Sequence, residues 1–127
     1  MNIPRTVGCG LLMAALLVGC SPSAPPPTDT ASARAVVEEA LAAWKEAATV
    51  QSMRERSDSL FVADPRWEAG WKLDGYEVVE QAVDGFQARC KVNLSLLDPQ
   101  GKATRESAEY LATTSPKRTL TRVSEGW

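Results

Sequence analysis

Histidine is absent from all 127 residues, so Ser-His-Asp, Cys-His and histidine-metal chemistry are excluded at the outset. What remains for proton transfer is carboxylates and phenols: Asp58, Asp74, Tyr76, Glu106 and Tyr110. A carboxyl desolvated in an apolar cavity has a raised pKa and can act as acid or base, and a tyrosine there can donate to a developing oxyanion. Glu106 and Tyr110 stand four residues apart, so one face of an extended strand can carry both into a shared pocket. The plainer reading of that spacing is preferred: Tyr110 is core with its hydroxyl at the rim, and Glu106 escapes near a hairpin end. The chain has no run of closely spaced carboxylates for a metal and no Gly-rich phosphate loop, so no catalytic residue, metal or cofactor is assigned.

These side chains need elements to position them. From Ala31, Val37, Leu41, Trp44 and Ala48 recur along one helical face, which predicts a long amphipathic helix over 32–50. A shorter helix is expected over 52–60, with Ser52 as N-cap and Glu55 completing a capping box. Leu60-Phe61-Val62 supplies core, and Asp64-Pro65 breaks the chain. The period then becomes two, predicting strands over 71–82, 86–97, 102–114 and 117–123. The second is clearest, with Phe86, Ala88, Cys90, Val92, Leu94 and Leu96 alternating with polar residues.

Two turns set the register. Asp98-Pro99-Gln100-Gly101 closes a hairpin that places Leu94 opposite Glu106, Val92 opposite Ala108 and Cys90 opposite Tyr110 on the inner side. Lys91 then faces Glu109, and Ser95 faces Arg105, on the outer side. Asp84-Gly85 suits a type I′ turn that sets Val79 opposite Cys90 and Glu80 opposite Arg89. The fold class is α+β: a long N-terminal helix and a short helix packed on a curved four-stranded antiparallel meander. Cys90 is then a core thiol. Trp44, Trp67 and Trp71 read as packing rather than a ligand platform, and Trp127 is too near the end of the sequence to assign. Lys117, Arg118 and Arg122 read as charges that protect an edge strand.

The first twenty residues, MNIPRTVGCGLLMAALLVGC, place Arg5 before an apolar run from Gly10 to Val18 that is too short to span a bilayer. Leu17-Val18-Gly19-Cys20 resembles the lipobox of bacterial lipoproteins. That resemblance implies a diacylglycerol on the Cys20 thiol and cleavage just before it, giving a signal peptide over 1–19 and a membrane-anchored protein of the cell envelope facing away from the cytoplasm. Residues 20–30 make a Pro-rich tether, and at ~3.1 Å per residue it reaches about 30 Å. Residues 31–127 form a single domain. A formal charge of -2 gives no electrostatic case for nucleic acid.

The order of elements, the segment Asp64-Pro65-Arg66-Trp67-Glu68-Ala69-Gly70-Trp71 and the following Tyr76 are similar to the nuclear transport factor 2-like fold. A cystatin-like arrangement stands beside it. The first resemblance implies a cone that could hold a small molecule or an active site, and a sheet face through which copies pair. Residue chemistry favours a non-catalytic module that binds an envelope protein or itself, through Arg89, Lys91 and Glu109 on the outer face. The alternative is a small-molecule or enzymatic pocket at Tyr110 and Glu106.

Overall fold

The computed structural model describes residues 29–123. The signal segment 1–19, Cys20, the tether through residue 28 and Trp127 lie outside the described residues. Helix α1 spans Thr30–Lys45, capped by Asp29, whose side chain accepts from the Ser32 N–H at 2.7 Å. Ala33, Val36, Val37, Ala40, Leu41 and Trp44 form its buried stripe. The expected continuation to residue 50 does not occur. The Ala48 N–H bonds back to the Ala43 carbonyl and the Ala47 N–H to that of Trp44, a Schellman closure with Ala47 in the left-handed region at φ 70°. Thr49 then starts helix α2, Val50–Glu55, by a reciprocal capping box with Ser52. Ser52 is therefore its third residue and not the expected cap.

Strand β1, Phe61–Ala63, follows, then the single-turn helix α3, Pro65–Glu68. The remaining strands are β2 (Lys72–Asp84), β3 (Gln87–Leu97), β4 (Ala103–Thr113) and β5 (Thr119–Val123). They assemble into one five-stranded sheet in the order β1-β5-β4-β3-β2. This overturns the expected architecture of a long helix on a four-stranded antiparallel meander. The helices are short, and the sheet is mixed because β1 runs parallel to β5, with Val62 opposite Leu120. A three-residue strand shows no period of its own, so β1 read only as core in the sequence.

Helix α1 packs on one sheet face, and the buried residues of both layers merge into one core. That core takes Ala88, Cys90, Val92, Leu94 and Leu96 from β3, Ala108, Tyr110 and Ala112 from β4, and Leu120 from β5. The β3–β4 register has Cys90 opposite Tyr110, Val92 opposite Ala108 and Leu94 opposite Glu106, the pairing that the turn at residues 98–101 dictates. The β2–β3 register departs from expectation, with Gln81 opposite Cys90 and Ala82 opposite Arg89. Its loop is Gly85-Phe86, with positive φ at Gly85 and not at Phe86, the sign pattern of a type II′ turn. A bulge between Val78 and Glu80 then returns Val78 to the core side opposite Val92.

Candidate functional site

Asp64 is fully buried, and its position follows from its local job. It is the N-cap of α3: its Oδ1 accepts from the N–H groups of Arg66 and Trp67 at 2.9 and 3.4 Å, while Pro65 occupies the first turn. Glu68 answers by accepting the Asp64 N–H at 3.0 Å. The other carboxylate oxygen, Oδ2, faces the sheet and accepts the Tyr110 hydroxyl at 2.5 Å. Burial, with the Asp64 carboxylate alongside, pushes the Tyr110 phenol well above its ordinary range, so it remains a donor.

Arg122 joins this pair to the rest of the site. It lies two residues from the buried Leu120 and so points to the same inner face. One of its nitrogens donates to Glu106 Oε1 at 2.5 Å and the other to Asp64 Oδ1 at 3.5 Å. Burial works against its charge, but the Glu106 hydrogen bond and the neighbouring carboxylates hold its pKa above the usual value. From the far side Arg66 grips Glu106 with two nitrogens, at 2.7 and 3.3 Å, and lays its guanidinium 4.1 Å from the centre of the Trp71 ring. Glu106 is thus an inward charge with two cationic partners, the reason it is tolerated on the core side of β4.

Glu106 and Tyr110 therefore meet in one network, but through Arg122 and Asp64, and they do not line a common pocket. An open groove of about 650 Å³ runs over Arg66, Glu106, Ser107 and Arg122. Tyr110 is 0% exposed and its hydroxyl is spent on Asp64. Among the other sequence candidates, Asp58 is exposed and paired with Arg56 and Arg118 at 3.4 Å each, Asp74 is exposed on β2, and Tyr76 is half-buried opposite Leu94. Among the described residues no group of three or more His, Cys, Asp or Glu side chains is placed to hold a metal ion.

The reading of Lys117, Arg118 and Arg122 as edge protection is corrected, because β5 lies between β1 and β4 and is not an edge; Lys117 lies over the Phe61 ring at 5.3 Å. Arg118 holds Glu39 of α1 with two bonds, at 2.9 and 3.1 Å, and also donates to the Asp58 carbonyl. Asp64 and Arg66 were missed as site residues. The signal that could have found them is Asp64-Pro65-Arg66-Trp67-Glu68 itself: an N-cap acid, Pro at the first helical position and an acid in the first turn.

Helices cover one sheet face, and on the other Arg89, Lys91, Asn93, Arg105 and Ser107 stand exposed. Arg89 reaches Glu109 across the strands at 3.0 Å, so the structure brings these two together, while Lys91 sits opposite Glu109 in register without an ion pair among the described residues. Edge strand β2 contributes Glu77, Glu80 and Asp84 to the same face, opposite Asn93, Lys91 and Gln87. The outer face carries an acidic stripe beside a basic one.

Acid should loosen this molecule through Glu106. Burial opposes its ionisation, but hydrogen bonds from Arg66 and Arg122 outweigh that and lower its pKa. A carboxyl with a lowered folded pKa adds stability above its unfolded value of about 4.3, and that stability is lost as pH falls through the folded value. Urea midpoints of wild type and Glu106→Gln should differ clearly at pH 6 and converge as pH falls below the folded value. A constant difference across that range would assign the contribution of Glu106 to something other than its charge.

The chain matches no known protein family, no curated protein and no solved structure.

Proposed function

We propose that this protein is a lipid-anchored, non-catalytic binding module of the bacterial cell envelope. In this reading residues 1–19 export it, Cys20 carries the lipid, and the domain faces away from the cytoplasm. Its working surface is the uncovered sheet face, and its first partner is a second copy of itself. The observation that carries the non-catalytic part is the closed state of the inner polar network. Tyr110 is sealed against Asp64, and Glu106 is held by two arginines, which leaves no unengaged acid, base or nucleophile in that network. The alternative of a reactive pocket at Tyr110 and Glu106 loses support for the same reason.

Charge complementarity supports self-association. A twofold axis between the two outer stripes lays Glu77, Glu80 and Asp84 of one copy on Arg89, Lys91 and Arg105 of the other, and the reverse. Exposed ion pairs are individually weak, so the association is modest and sensitive to salt. Sedimentation of residues 29–127 should show a dimer at low ionic strength that dissociates as salt is added. Arg89→Glu with Lys91→Glu should be monomeric, as should Glu77→Lys with Glu80→Lys. Mixing the two variants should restore a dimer. A wild type that stays monomeric at low salt, or a double variant that still pairs with itself, sinks this reading.

A further inference from the structure

We infer that the tip of the β2–β3 hairpin is a lipid-contact element, seated on the membrane beside the point where the tether enters the domain. The inference rests on the proposed anchor at Cys20. Three large hydrophobic residues are exposed among the described residues, Val79 at 47%, Val83 at 40% and Phe86 at 53%. Single exposed apolar side chains are ordinary on a protein surface. Here all three fall within eight residues of one hairpin, and a concentration of apolar surface at one place marks a contact.

The place matters as much as the composition. Gln81, between Val79 and Val83, donates from its side chain to the Thr30 carbonyl at 2.6 Å. Thr30 opens α1, so the chain coming from Cys20 joins the domain against this stretch of β2. Only eight residues lie between Cys20 and Asp29, nine steps along the chain that span at most about 30 Å when fully extended. An acyl chain in the bilayer therefore holds this end of the domain within about 30 Å of the headgroups, near enough for the hairpin tip to reach them. The opposite hairpin loop, residues 98–102, lies at the other end of β3 and carries Pro99, Gln100 and Lys102, with no exposed large hydrophobic residue.

The charges around the tip select the lipid. Glu80 and Asp84 are exposed on the same strand, with Lys91 opposite Glu80, while the nearby arginines are engaged, Arg89 with Glu109 and Arg34 with Glu38. A surround without net positive charge gains nothing from anionic headgroups and accepts zwitterionic ones. The apolar side chains then reach the headgroup boundary, as an interfacial element does, without spanning. No helix among the described residues is long and apolar enough to cross a membrane.

The test uses the full chain, processed in a bacterial host and reconstituted in phosphatidylcholine vesicles. Variants Asp84→Cys and Gln100→Cys each receive an environment-sensitive fluorophore, and lipids bearing a headgroup-level nitroxide act as quencher. Flotation of the same vesicles reads the anchor independently. The expected result is flotation, with the label at position 84 quenched several-fold more than the label at 100, and with that excess removed by adding Val83→Ser and Phe86→Ser. Vesicles that float with both labels equally unquenched would leave the anchor standing and overturn the contact. With salt added to dissociate the proposed dimer, the contact is equally overturned by a label at 84 shielded from aqueous quencher but unreached by the lipid quencher, which signifies a protein cover. A chain that does not float overturns the anchor and the contact together.

Discussion

Asp64→Ala is expected to destabilise the fold by about 3–5 kcal/mol, the range for breaking a buried, hydrogen-bonded charge. Three losses coincide. The cap of α3 loses its acceptor for two backbone N–H groups, worth about 1 kcal/mol. The Tyr110 hydroxyl, donating at 2.5 Å to a residue with no exposed surface, is stranded at about 1–3 kcal/mol. Arg122 keeps Glu106 but gives up its second carboxylate. For a domain of this size the melting temperature should fall by something on the order of 20 °C. Asp64→Asn keeps the cap oxygen but places an amide NH2 donor where Oδ2 accepted the phenol, so it should recover only the capping part of the loss, about 1 kcal/mol. A melting temperature for Asp64→Ala within a few degrees of wild type would mean that the network is ornamental.

Trp67→Ala is the second large effect, at about 3–5 kcal/mol. Trp67 is 6% exposed and stacks on Trp44 with ring centroids 5.1 Å apart and planes 2° from parallel. Each indole N–H ties a loop to the core: Trp67 donates to the Ala48 carbonyl and Trp44 to that of Trp71, both at 2.8 Å. Removing Trp67 leaves a cavity, an unpaired carbonyl and a Trp44 without its stacking partner. Trp67→Phe keeps most of the ring contact and loses the hydrogen bond, so it should cost about 1–2 kcal/mol. Chemical denaturation of the three proteins orders them directly, and equal losses for Phe and Ala would deny the stacking its part.

The sequence made some of this legible and hid the rest for definite reasons. Strands β3 and β4 and their register could be read because six apolar residues alternate without interruption and Asp98-Pro99-Gln100-Gly101 admits one tight closure. The β2–β3 hairpin slipped because Asp84-Gly85 is an attractive turn pair, while a phenylalanine after the glycine shifts the loop by one residue to Gly85-Phe86. Strand β1 is too short to show a period, and its absence from the reading made β5 look like an edge. That error carried Arg122 to the surface in the expected picture, although parity with Leu120 already pointed it inward. Glu106 was legible as an inward charge but not as a satisfied one, because its partners come from α3 and β5, forty and sixteen residues away. Long-range pairing of that kind leaves no local signature.

The proposals on where and how this domain works depend on Cys20, and the intact mass of the chain recovered from bacterial membranes tests it most directly. The account predicts a polypeptide that begins at Cys20, heavier than residues 20–127 alone by a diacylglycerol and any further acyl group, and a Cys20→Ala protein that carries neither the added mass nor the membrane association. A membrane-bound chain that retains residues 1–19, or one that begins elsewhere with an unmodified Cys20, would contradict it.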